Sequence, residues 1–515
     1  MKRIIINTIL GIFCISFLFC STSCNDQLET KIYGQIVPSS FFNSEADLES
    51  AVVGVSGYLS ERGLKCDGLW SAHYVTYMMC GLYCTDELQN TFGGYPQMQD
   101  RFEWTPSVMS GITNTYNLVS MCAKITDLIS IFDNNTKVDR AIIDRYIGEL
   151  KAIRAQYMFA LYDFYGPVNV KLDPSTLADN TPMPRPSDEN YCKNLLQDIN
   201  DALASSLPDR YTSSSTNWGR MSKDVVRMVE LRFFMHQKEW ANAEKVCREL
   251  LAAGYKLMDN YEDVFNVGGN SEVIFGCPGD SKSGNIWLTE VCPAGFSTQG
   301  ASAGSVMLGW DFCYMPWDHF HKIFGYKGES SYDNDLRVKT FMTEFKTFRG
   351  VTKKENPDLT NSLETKLNGA IPIKFTDWYK YSFIEFPLQQ PVYRLAEVKL
   401  SLSEAIARQG TITDEAISQV ADIRERAGLG RNLPAGVTSS VDNFLNFLLD
   451  ERSRELFCEG QRRDDLIRYG KLIERAQEQG KTAAKDYMVL YPIPNDVVLQ
   501  GDGVIEQNPG YPKPE

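Results

Sequence analysis

Apolar residues recur every three to four positions through several separate stretches of this chain, the spacing of helices that bury one face. In 139–166 the spaced residues are Ile143, Ile147, Leu150, Tyr157, Leu161 and Phe164, and Gly166-Pro167 ends the run. Residues 188–206 repeat the pattern with Tyr191, Leu195, Ile199 and Leu203, closed by Leu207-Pro208. The stretch 222–257 predicts two helices broken near Gln237, with Ser222 as N-cap and Gly254 as C-cap. Residues 391–410 and 413–429 predict another pair. Paired antiparallel helices of this length are the unit of tetratricopeptide-like repeats, whose period is about 34 residues. Trp240 and Ala243 supply the bulky and small contacts that such a unit uses. The fold class this predicts is mainly α, a scaffold of tetratricopeptide-like helix pairs over about 40–257 and 391–470.

Between 258 and 390 the helical period stops. Glu272–Cys277 reads as a strand, and Gly, Ser, Pro and Asn fill much of the remainder. Loops this long are usually functional or disordered, and the density of aromatic residues argues against disorder. An ordered, irregular, loop-rich region carrying short strands is therefore expected, mounted on the helices.

At the front, Lys2 and Arg3 precede an apolar run from Ile4 to Cys20, followed by "STSC" at 21–24. Such a stretch reads as a secretory signal and is short for a membrane span, which needs about 20 apolar residues. A Cys directly after small residues resembles a bacterial lipoprotein signal, although Ser21 stands where such signals usually carry Leu. On this reading 1–23 is the signal peptide, Cys24 is the acylated first residue, and 24–515 forms a single domain. Net charge is −14 with no basic stripe, so nucleic acid is a poor partner. Beyond 1–23 the chain holds eleven cysteines; the ten other than Cys24 are spread too widely for a disulfide-stapled small domain, and many are expected to serve as small buried apolar residues, with any pairing left open.

The densest run of charge is "ERSRELFCEGQRRDDLIRYG" at 451–470. Helical spacing pairs Glu451 with Arg454, Arg452 with Glu455, Glu459 with Arg462 and Arg463, and Asp465 with Arg468. Signs alternate, so no net positive surface remains to grip phosphate. A partly buried network clamping this helix onto the scaffold is expected, since exposed pairs contribute only ~0–1 kcal/mol each.

Catalytic motifs fare poorly. "GASAG" at 300–304 offers Ser302 as a nucleophile, but no buried strand precedes it. His319 and His321, or Cys80 and Cys84, fall short of a zinc site's four ligands. Asp333, Asn334 and Asp335 lack the Gly turn and closing Glu of a calcium loop. No enzyme, metal or cofactor is predicted.

What remains is aromatic. Three of the eight tryptophans, Trp287, Trp310 and Trp317, lie within 287–326 together with Tyr314 and Tyr326. Flat rings with polar neighbours suit a neutral polar ligand such as a sugar. A Gly-bearing segment at 84–104 adds Asn90, Phe92 and Tyr95. The candidate ligand contacts are therefore Asn90, Phe92, Tyr95, Trp287, Trp310, Tyr314 and Trp317. Trp317 is expected to be the exposed ring, because Pro316 disfavours a helix through it and Asp318 and His319 stand ready for hydroxyls.

"ERSRELFCEG", "RRDDLIRYG" and "YMVLYPIPNDVVLQ", followed by "QNPGY", resemble the C-terminal signature of the SusD/RagB family. The resemblance extends to 153–168, 219–257, 393–405, 420–429 and Cys24. It implies a nutrient-binding lipoprotein, held by acyl chains in the outer membrane of a Gram-negative bacterium and facing the cell surface. The implied partners are a glycan, less often a peptide, and a SusC-like TonB-dependent transporter that receives it. The alternatives are a surface carbohydrate-active hydrolase using carboxylates of the irregular region, and a docking module with no ligand of its own.

Overall fold

A computed structural model describes residues 41–59, 69–70, 76–91, 93–212, 215–266, 270–277, 291, 294–297, 306–308, 313–347, 350–355, 365–374 and 390–514. Ser44–Glu515 make one compact unit. The fold is mainly helical with few short strands. Five helices, Leu118–Asp133, Arg140–Tyr165, Asp188–Ala204, Lys223–Gln237 and Trp240–Ala252, pack each against the next in chain order. Arg140–Tyr165 is the longest of them and lies between two neighbours, so from Ala152 to Tyr165 every residue is buried. Asp139 caps its start by accepting from the Ala141 N–H at 2.8 Å, and Gly166, at φ 69°, ends it in a conformation that costs a residue without a Cβ little. Lys238 in the left-handed region makes the break expected near Gln237.

The helical layer is interrupted in sequence but not in space. After Ala252 the chain runs out along strand Val273–Cys277 and returns along Gln390–Arg394, and these two strands pair antiparallel. The returning strand leads directly into helix Leu395–Arg408, which packs on Trp240–Ala252, on Asp414–Arg426 and on Val441–Leu456. The sequence pattern placed 391–394 in a helix; they are strand instead, because Pro391 and the β-branched Val392 sit in the ribbon that closes the base of the irregular region. Within that region a four-stranded sheet runs in the order Gln89–Asn90, Cys313–Pro316, Gly369–Pro372, Phe341–Met342. Its edge strand comes from the early segment, so the sheet joins residues more than 200 positions apart. Gln89 faces Tyr314 and Asn90 faces Cys313 across the ladder.

The charged run forms the end of helix Val441–Leu456 and the short helix Arg462–Arg468. It is buried rather than partly buried. Glu455 meets Arg394 at 2.6 Å, Arg337 at 3.3 Å and also Arg426. Glu451 takes Arg337 at 2.8 Å, with Arg424 and Arg454 each at 3.0 Å. Glu459 pairs with Arg394 at 2.7 Å and with Lys374. Two of the expected short-range pairs exist, Glu451 with Arg454 and Asp465 with Arg468. The others do not: Arg452 turns to Asp465 at 2.8 Å, Arg462 to Asp86 at 2.6 Å and Arg463 to Asp163 at 2.6 Å. Buried charges need close partners to offset their desolvation, and here most of these partners come from distant elements. Burial alone would raise the Glu451 carboxyl, yet Arg337, Arg454 and Arg424 together hold it down to about 2. Arg337 and Lys374 come from the irregular region, so this network bolts that region onto the helices.

Candidate functional site

The edge strand Gln89–Asn90 and helix Tyr95–Asp100 form one wall of a cavity of about 480 Å³. Tyr314 from the second half of the chain lines it beside them, and the loop 479–483 closes the far side. Polar groups dominate: Gln89, Asn90, Thr91, Gln97, Asp100, Arg101 and Glu103 from the early segment, with Gln479, Lys481 and Thr482 opposite. The closing loop is tied down. Lys481 pairs with Asp100 at 2.8 Å and donates to the Thr85 carbonyl at 3.1 Å, and Gln479 donates to the Asp86 carbonyl at 3.3 Å. Tyr314 is seated on Gly369 of the neighbouring strand. A Cβ there would lie 2.3 Å from the Tyr314 ring and 2.2 Å from the Met315 carbonyl oxygen. A polar cavity with one ring on its wall, braced by the Lys481–Asp100 ion pair, can orient a neutral ligand through its hydroxyls and cover one apolar face.

The two candidate elements do meet, and Asn90 and Tyr314 share this cavity. Asn90 is only 3% exposed and its amide donates to the Cys313 sulfur at 3.3 Å, so it shapes the wall. Tyr95 begins helix Tyr95–Asp100 and is 47% exposed, outside the cavity lining. Trp317 corrects the expectation. It is half-buried, and its indole N–H donates to the Leu367 carbonyl at 2.9 Å. Pro316 does not block a helix; it stands just before one, Trp317–Phe324, where its missing N–H is not needed. His319 consequently points inward and is buried, and only Asp318 remains exposed. Phe92, Trp287, Trp310, Ser302 and Cys24 lie outside the described residues. Sequence reasoning missed Gln89, Gln97, Arg101 and the 479–483 loop, which carry no motif.

Beneath the cavity wall lies a buried chain of polar groups. Glu87 lies 3.0 Å from the Ser453 hydroxyl, which lies 2.9 Å from His319 Nε2; His319 Nδ1 is 3.4 Å from Asp86. Serine, histidine and aspartate in this order invite comparison with a hydrolase triad. Ser453 is 1% exposed, however, and its hydroxyl is shared with Glu87, so no substrate carbonyl can reach it. Burial pushes His319 down to about 4, against the pull of Asp86, and raises Glu87 to about 7 against Arg462. Arg462, then His319, overcome burial to hold the Asp86 carboxyl well below the usual range. These groups position the turn that leads into Gln89–Asn90.

Among the described residues no group of three or more His, Cys, Asp or Glu gathers that could hold an ion. Burial lifts the Cys80 thiol to about 12, and Gln99 donates to its sulfur at 3.1 Å. Asp335 is bound by Arg337 at 2.8 Å. No disulfide joins the described cysteines, and seven of those eight are buried.

Comparison with known proteins gives a consistent set of relatives. Residues 318–511 match the model of the SusD family. The starch-binding protein SusD of Bacteroides thetaiotaomicron is 23% identical, over 95% of this chain and 96% of its own length. Among solved structures, a SusD superfamily protein from Bacteroides vulgatus shares the fold with a TM-score of 0.72 at 18% identity, over 92% of this chain and all of its own. Surface glycan-binding protein A of Bacteroides thetaiotaomicron, solved with laminarihexaose, aligns with a TM-score of 0.69 at 21% identity, over 90% of this chain and 99% of its own. The family match, the near-full-length relatives and the shared fold agree: this chain is similar to SusD family proteins along most of its length.

Proposed function

We propose that this protein is a cell-surface, lipid-anchored glycan-binding protein that captures oligosaccharide or polysaccharide in the cavity between 89–103, Tyr314 and 479–483. In this reading it hands the glycan to a SusC-like TonB-dependent transporter and breaks no bond. The observation that carries it is the meeting of the early segment with the second-half strand at Gln89–Tyr314, which sets a ring beside amides and a hydroxyl in one polar cavity. Relatives named as a starch-binding protein and a laminarin-binding SusD-like protein support the ligand class. Acylation of Cys24 is the proposed anchor; no helix among the described residues is long and apolar enough to cross a membrane. In this proposal Tyr314 faces the ligand from a wall that Asn90 shapes, and Phe92, Tyr95, Trp287 and Trp310 are proposed as further ligand contacts.

The test is a binding screen of the purified protein against neutral and acidic polysaccharides and against peptides. A hit among glycans, with no new reducing ends after long incubation, is the expected result. New reducing ends would make the protein a hydrolase, and a hit confined to peptides would change the ligand class. Replacing Cys24 with Ala should release the protein from membrane fractions of cells lacking the transporter.

A further inference from the structure

Three rings lie stacked beside the sheet, away from the cavity lining. The His321 imidazole is parallel to Trp317, at 5.6 Å between centroids and 17° between planes. On its other side Tyr326 lies at 4.1 Å and again 17°. The imidazole between them is fixed at both nitrogens: Nδ1 is 3.1 Å from the Gly325 carbonyl, and Nε2 is 2.9 Å from each oxygen of Glu355. Trp317 is fixed in turn by its bond to the Leu367 carbonyl. The loop that carries Tyr326 is held too. Its N–H donates to Glu329 at 3.0 Å, and its carbonyl accepts from the Glu329 N–H at 2.9 Å. Gly325, at φ 81°, turns the chain so that the ring folds back over the helix it has just left.

Tyr326 is nevertheless 58% exposed. An isolated surface side chain needs no explanation, but this one differs from exposed Met183 or Leu499 in being held flat and backed by two further rings. A ligand that stacks on it has little ring motion left to freeze out, which is the advantage of preorganisation. We propose that the outer face of Tyr326 is a second glycan contact, a platform for one neutral sugar ring of a longer chain whose other units occupy the cavity. This inference rests on the glycan-binding reading. The ligand class follows from the edge of the stack: Glu355 is partly exposed and, among the described residues, accepts from His321, which leaves carboxylate lone pairs for a sugar hydroxyl. Tyr314 and Tyr326 are joined by a strand end, one eight-residue helix and a turn, so their separation is at most roughly 30 Å. One polysaccharide chain can span that.

The experiment compares polysaccharide with short oligosaccharide. Retardation in gels containing soluble starch or laminarin is measured for the full-length protein and for Tyr326→Ala, beside calorimetric titration with maltotriose and laminaritriose. Tyr326→Ala is expected to bind the polysaccharide about 5- to 10-fold more weakly while its trisaccharide affinity stays within about twofold. Because the ring also covers His321, melting is followed on the same samples, and Tyr326→Leu repeats the test with a side chain that covers but is not flat. Polysaccharide binding by both variants at the wild-type level overturns the platform and leaves the cavity reading intact. Failure of the unaltered protein to bind either polysaccharide or either trisaccharide counts against both.

Discussion

Helix Val441–Leu456 and the cavity wall at 89–103 are both crowded with polar side chains, and the two use them in opposite ways. On the helix, Glu451 and Glu455 are sealed from water and surrounded by guanidinium groups from three other elements. At the wall, Gln89, Gln97, Arg101 and Glu103 border open space, while Asn90 is tied to Cys313 and Asp100 to Lys481. Charge density along a sequence therefore does not locate a binding site. What matters is whether each group has already found its partner within the fold.

The comparison breaks most visibly at Glu455. Replacing it with Ala leaves Arg394, Arg426 and Arg337 without their shared carboxylate, which should cost about 3–5 kcal/mol of folding stability. Chemical denaturation reads that loss, while glycan affinity of the remaining folded protein should be unchanged. A tenfold fall in affinity, about 1.4 kcal/mol, with stability intact would move this helix into the site. Gly369→Ala should blur the division. Its Cβ collides with the Met315 backbone and the Tyr314 ring, so stability should fall by about 1–3 kcal/mol and binding should weaken with it. Arg454→Ala sits at the rim of the network, with Glu451 still served by Arg337 and Arg424, and should cost no more than about 1 kcal/mol.

The effect of pH cancels in the unaltered protein. Unfolded, His319 titrates near 6.5 and Glu87 near 4.5; folded, they move to about 4 and about 7. Between pH 4.5 and 6.5 the unfolded chain carries the proton on His319 and the folded chain carries it on Glu87. The number of bound protons is then equal, and these two groups together contribute no slope to stability across that window. Removing one exposes the other. In Glu87→Gln only the depressed histidine remains, so stability should rise with pH from about 4 to 6.5. In His319→Gln only the raised carboxyl remains, so stability should fall as pH climbs from 4.5 to about 7. Parallel pH curves for both variants and the unaltered protein would contradict the buried relay.

Much of the helical scaffold was legible because one-sided burial imposes a period on sequence. Tyr191, Leu195 and Ile199 are buried along one face of their helix as the spacing required. The network was legible as alternating charge, although its partners were not, because Arg337 and Arg394 reach it through tertiary contacts that leave no local spacing. The site was half legible. Tyr314 and Asn90 stood out by residue type, but Gln89, Gln97 and Lys481 are ordinary polar residues whose convergence depends on a sheet spanning the chain. Trp317 misled because Pro316 reads equally well as a helix breaker and as the residue that introduces a helix.

Calorimetric titration of Tyr314→Ala reads out whether the cavity beside Tyr314 binds glycan while the charged helix holds the fold. The ligand is the polysaccharide found in the binding screen, and the melting temperature is taken on the same sample. Binding should fall by about 1–3 kcal/mol, with melting close to that of the unaltered protein because the ring is only half-buried. Unchanged affinity in a folded variant would contradict glycan binding in this cavity.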